Sequence, residues 1–281
     1  MNPQALVDTH QHLWDLAQFP YTWCTGIPAL NRSFSQADYT AAADGLGIVK
    51  TVFMECDVDE PHVLAEALHV QSLSGRDPSI AGIVAGCRPE NEGFADDLTE
   101  LVRIPRLRGV RRVLHTQPDE VCVRPRFVGN IRLLGGRGLT FDLCLLARQL
   151  PQGHRLAEQC PGVQFVLDHC GVPDVKGRAF DPWRGDIERM AALPNVVCKI
   201  SGLVAYADPA TWTPGELKPW VDHVIRVFGW DRVVWGGDWP VCTLSAPLAG
   251  WVGATREIVR DATDGQRAGF FRLNAERIYH V

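Results

Sequence analysis

Leu6-Val7-Asp8-Thr9-His10-Gln11-His12 is a short, apolar-leaning run that closes on two imidazoles. Side chains alternate between the two faces of a strand, so residues i and i+2 point the same way. As a strand, this run projects His10 and His12 together from its C-terminal end. Imidazole is the commonest metal-ligating side chain, and it titrates near neutral pH. Nine histidines in 281 residues make one His-x-His pair easy to meet by chance. Its meaning therefore depends on what the fold brings opposite it.

Seven further runs have the length of buried strands: Thr51–Glu55, Ile80–Gly86, Leu107–Val113, Leu139–Cys144, Gln164–Asp168, Val196–Ser201 and Val233–Asp238. Between most of them apolar residues recur at helical spacing. Val63, Leu64, Ala67 and Leu68 make one stripe; Trp183, Ile187, Met190 and Ala191 make another. Leu217, Trp220, Val221, Val224, Ile225 and Phe228 make the clearest. Eight strands alternating with helices predict an α/β fold of the (β/α)8 TIM-barrel type, whose usual size is about 250 residues. The rival, a doubly wound open sheet, is disfavoured because no Gly-x-Gly-x-x-Gly follows a strand. Residues 1–281 read as a single barrel domain without linker or repeat. An extended loop, 13–50, follows strand one and carries Trp14, Phe19, Tyr21 and Trp23, as a lid or pocket wall would. A second rich loop, 202–214, carries Tyr206 and Trp212.

Hydrophobic residues make up 46% of the chain and charged residues 22%, an ordinary globular balance that can bury a large core. The net charge of -5 argues against a general affinity for nucleic acid or an anionic membrane surface. Nine cysteines, an odd number without a Cys-x-x-Cys pair, fit buried reduced thiols. With no basic segment followed by an apolar one at the start, and no apolar stretch near ~20 residues, a cytoplasmic, non-membrane protein is expected. A homo-oligomer remains open.

A barrel carries its active site at the C-terminal ends of its strands. Those ends hold His10 and His12, then Glu55, Arg112 and His115, Asp142, Asp168 and His169, Lys199 and Ser201, and finally Asp238. Packing does not explain apolar strands that nearly all end in ionisable groups, because buried charge is costly unless paired. Barrel closure would set Asp238 beside the His pair. There it could orient the imidazoles, share a metal or take a proton from water. Helix capping is the structural alternative for Asp238, and a satisfied core position is the alternative for His169.

His10-x-His12, Asp168-His169-x-Gly171 and Gly237-Asp238-Trp239-Pro240, in that order, resemble the amidohydrolase superfamily (amidohydrolase-2 type). The nearer likeness is to its sugar-lactonase, fuconolactonase-like branch. Phe141-Asp142-Leu143, the run Val197–Leu203 and Asn274–Tyr279 agree with this. The likeness spans nearly the whole chain and weakens between about 15 and 105. It implies a hydrolase that opens a fucono-, rhamnono- or galactono-lactone, with Asp238 as general base and His10, His12 and His169 holding the carbonyl oxygen. Trp14, Glu55, Arg112, His115, Asp142, Lys199 and Trp239 would contact the sugar. The chain departs from the superfamily pattern by lacking a bridging Lys or Glu on strand four and a ligand His on strand five. The lactonase branch likewise tends to lack the full metal set. A divalent metal such as zinc could sit on His10, His12 and Asp238, with His169 as a fourth ligand; no organic cofactor is expected. The competing expectations are a metal-dependent decarboxylase or another hydrolase on the same barrel, and a non-catalytic sugar-binding barrel.

Overall fold

The computed structural model describes residues 5–281. Eight parallel strands run in sequential order: β1 Leu6–Gln11, β2 Ile48–Met54, β3 Ile80–Gly86, β4 Leu107–Val113, β5 Thr140–Cys144, β6 Gln164–Leu167, β7 Val196–Ile200 and β8 Val233–Trp235. The helices between them are α1 Gln36–Ala43, α2 Val63–Arg76, α3 Phe94–Leu101, α4 Pro125–Gly135, α5 Leu150–Gln159, α6 Trp183–Ala191 and α7 Pro214–Phe228. Then follow α8 Leu248–Ile258, α9 Asp264–Ala268 and α10 Asn274–Tyr279. The ring closes at its C-terminal end, where Asp238 N donates to His10 O (2.8 Å) and His12 N to Trp239 O (2.9 Å). This is the (β/α)8 barrel expected from the eight runs.

Two layers of apolar packing hold it. Outside the strands, residues such as Phe53, Phe141 and Phe165 pack on the helices. Inside, Val7, Val52, Val84, Val166, Val197 and Val234 form a smaller cluster, filled by Ala275, Ile278 and Tyr279 of α10. The inner strand positions are mostly valine, whose branched side chain packs well on a pleated surface. All nine cysteines are buried and unpaired, as their scatter suggested.

The structure corrects two expectations. The 13–50 segment is not one loop: Ser35 caps α1 reciprocally with Asp38, and β2 begins at Ile48. On α2 the stripe is displaced. Leu68 is exposed, whereas Glu66 faces inward beside Ala67 and Val70.

Candidate active site

Beyond Asp8, β1 carries one residue more than β2, since Asp8 pairs with Thr51 but Gln11 with Phe53. This bulge resets the alternation. Val7 and His10, three residues apart, both face the lumen. His10 and His12 then stand with ring centroids 4.8 Å apart. Gly236 on the neighbouring strand leaves room for this, because a Cβ there would lie 2.8 Å from His10 Cβ.

Asp238 arrives from β8 in a left-handed conformation (φ 56°). Its Oδ1 lies 3.7 Å from His10 Nε2 and 3.6 Å from His12 Nε2. Strained backbone of this kind concentrates at functional sites. His169, at φ 54°, opens a turn after β6 and brings its ring within 4.5 Å of His10. Its Nδ1 meets Ser201 Oγ at 2.9 Å. Gly202 (φ 67°) packs so closely here that any Cβ would overlap the imidazole.

Beneath them lies a buried charge network. Arg111 Nε donates to Glu55 Oε1 (2.7 Å), and Nη1 donates to Asp168 Oδ2 (3.3 Å) and His10 Nε2 (3.2 Å). Lys199 Nζ lies 2.7 Å from Asp142 and 2.9 Å from Asp168. The Tyr279 hydroxyl donates to Asp142 Oδ2 at 2.6 Å. Burial opposes ionisation of Asp168, but Lys199, His10 and Arg111 hold its carboxyl well below the usual carboxylate range. Burial drives His10 well below the ordinary imidazole value, and His12, His169 and His115 to about 4, so all four are neutral near pH 7. Burial also lifts Asp238 to about 6, against the pull of His169 and Arg111. At neutral pH it remains a carboxylate of raised basicity.

His10, His12, His169 and Asp238 thus converge, with Glu55 beside them on Arg111. His115 reaches the rim, 3.5 Å from Cys144 Sγ. The other expected residues are placed differently. Arg112 turns away to Glu90 (2.7 Å); its neighbour Arg111 takes the central place. Asp142 and Lys199 are fully buried and neutralise each other, so they underlie the site and do not meet a sugar hydroxyl. Trp14 and Trp239 are nearly buried, 3% and 4% exposed, among other rings. Trp14 stacks edge-on against Trp23 and Phe34 and donates its indole N–H to Arg32 O; Trp239 packs edge-on against Phe34 and Tyr39. The Asp238 side chain does not cap a helix; it faces the His pair. Tyr206, from the 202–214 loop, overhangs His169 with centroids 6.3 Å apart.

The donor set suits a divalent cation. His12 Nδ1 donates to Met54 O (2.9 Å), which leaves the Nε2 lone pair directed at Asp238, itself an acceptor. One ligand atom each from His10, His12 and Asp238 lies within 4.8 Å of the others. Two imidazole nitrogens and a carboxylate are the ligands of open zinc sites.

The Amidohydrolase family model matches residues 7–281. Among curated proteins, the chain is 30% identical to an L-fucono-1,5-lactonase of Burkholderia multivorans, over 85% of this chain and 83% of that one. It is 28% identical to an L-fucono-1,5-lactonase of Burkholderia ambifaria, over 85% and 81% of the two chains. Among solved structures, an amidohydrolase from Burkholderia multivorans crystallised with bound zinc superposes with a TM-score of 0.89, at 24% identity and 99% coverage of both chains.

Proposed function

Because this chain belongs to the amidohydrolase family, as a hydrolase acting on ester bonds, we propose that it opens a sugar lactone to the aldonic acid. The observation that carries this reading is Asp238, a buried carboxylate raised to about 6 and flanked by two neutral imidazoles at the mouth of a barrel. A base with a pKa just below the working pH combines ionisation with basicity. The relatedness to two L-fucono-1,5-lactonases supports a six-carbon or deoxy-sugar lactone of the fucono-, rhamnono- or galactono- kind.

Asp238 takes one proton from water as the water oxygen bonds to the ring ester carbonyl carbon. Negative charge develops on the carbonyl oxygen, above the buried Arg111, whose charge is shared with Glu55 and Asp168. Preorganised charge of this sort stabilises such transition states without reorganisation. The carbon–ring oxygen bond then breaks, and Asp238 returns its proton to the departing alkoxide. His169, when its Nδ1 accepts from Ser201 Oγ, carries its proton on Nε2 and can donate it to the carbonyl oxygen, whereas His12, donating through Nδ1 to Met54 O, offers only an Nε2 lone pair beside Asp238. A divalent metal on His10, His12 and Asp238 would supply Lewis-acid polarisation and acidify water. The bound zinc of the Burkholderia multivorans structure supports zinc as that metal.

A panel of sugar lactones, followed by a pH indicator with and without zinc, tests the reading. Turnover of at least one such lactone, lost in Asp238→Asn, is expected. If no lactone is hydrolysed in either condition, the proposal fails; release of carbon dioxide from an aromatic acid would favour the decarboxylase instead.

A further inference from the structure

A cavity of about 260 Å³ lies between the β1–α1 connection and α2, separate from the reaction centre. Trp14, Phe19, Tyr21 and Phe34 supply aromatic wall, and Glu66 supplies a carboxyl group. Neither His10, Asp168, His169 nor Asp238 lines it.

Glu66 is the unexplained group. It is 2% exposed, on the inward face of α2. The Tyr21 hydroxyl donates to Oε1 at 3.0 Å, while Oε2 has only the Cys56 N–H at 3.5 Å. Arg111, the guanidinium whose charge reaches it, is committed to Glu55 and Asp168. Among the described residues no Lys or Arg lines the cavity; its one basic side chain, His69, is pushed below the ordinary imidazole value by burial, and Asp15 adds a second acid to the wall. Burial and the nearby Glu55 push Glu66 up to about 8, so it is largely protonated near pH 7, and ionising it there costs several kcal/mol unless a cation or donors compensate. Packing alone would be served at least as well by Leu or Met at this position. Aromatic faces attract cations, and a carboxylate ringed by them is the chemistry that recognises an ammonium group on an apolar body.

We propose that the chamber enclosed by Trp14, Phe19, Tyr21, Phe34 and Glu66 is a binding site for a small organic ammonium ion with an apolar body. The ammonium pairs with Glu66 Oε2, and the apolar body replaces water against the rings. The site stands independently of the lactone reading, because it shares no reacting group with it.

Calorimetric titration of the full chain with benzylammonium, beside the neutral benzyl alcohol, tests this. With Glu66 at about 8, a titration at about pH 8.5 ionises most of the carboxyl while the ammonium keeps most of its charge. Saturable benzylammonium binding, at least about tenfold tighter than benzyl alcohol, is expected, with a further loss of about tenfold or more in Glu66→Gln. Equal binding of the two probes by the unmodified protein, or no saturable binding below about 10 mM, would overturn it. That comparison needs no variant, so it decides the matter even if Glu66→Gln folds poorly. Phe19→Ala, at a half-buried wall position, should weaken benzylammonium a few-fold.

Discussion

Arg111 Nη1 lies 3.2 Å from His10 Nε2, and a guanidinium can only donate. In the metal-free protein the imidazole therefore accepts at Nε2 and carries its proton on Nδ1, which faces Asp168 Oδ1 at 3.5 Å; a metal on His10 would take that Nε2 lone pair in place of Arg111. One cation thus selects the His10 tautomer from one side, and one carboxylate selects it from the other.

Asp238→Asn removes the base without changing the shape of the side chain. We expect kcat to fall by about 10²–10⁴ while the circular dichroism spectrum is retained. For the unmodified, metal-free protein the active form is the carboxylate, so turnover should decline as pH drops through about 6. Zinc stabilises the ionised form and should move that acid limb to lower pH. A pH–rate profile with and without zinc reads both effects.

Ser201→Ala deletes the partner of His169 Nδ1. The ring should lose its fixed orientation, and kcat should fall by roughly 10–100-fold with a smaller change in KM. Ser201→Thr, which restores the hydroxyl, should recover part of the loss; equal kcat in all three proteins would remove Ser201 from the argument.

Lys199→Met leaves Asp142 and Asp168 facing each other without their shared cation. Breaking a buried ion pair on one side costs about 3–5 kcal/mol. Urea unfolding should show a correspondingly lower midpoint at an unchanged slope.

His12→Ala should abolish stoichiometric zinc uptake, whereas the unmodified chain should retain about one zinc after dialysis. Elemental analysis measures both. Zinc that binds only the folded chain should also raise the melting temperature of the unmodified protein and not that of His12→Ala.

The eight strand runs were legible because buried parallel strands are nearly continuous apolar stretches. The convergence of His10, His12, His169 and Asp238 followed from strand ends and ring closure alone. Arg111 was not legible, for a local reason. Leu107-Arg108-Gly109-Val110-Arg111-Arg112 offers arginines of both parities, and β4 holds one extra residue against β3 between Leu107 and Gly109. That irregularity resets which side faces the lumen, and the structure brings Arg111 inward in place of Arg112. Glu66 was missed because the apolar stripe through Leu64 and Leu68 pointed to another face of α2. Flat rings suit sugars and packed cores equally, and the edge-on neighbours that surround Trp14 and Trp239 are set by the fold, beyond the reach of sequence pattern.

The hydrogen bond from Asp238 N to His10 O joins the first strand to the last across almost the whole sequence. Contacts of such long range form slowly and late in folding. The proposed base and the histidine pair meet only across that seam. Regain of turnover during refolding should therefore time the docking of the two strands, and a collapsed intermediate with most of its helices formed should still be inert.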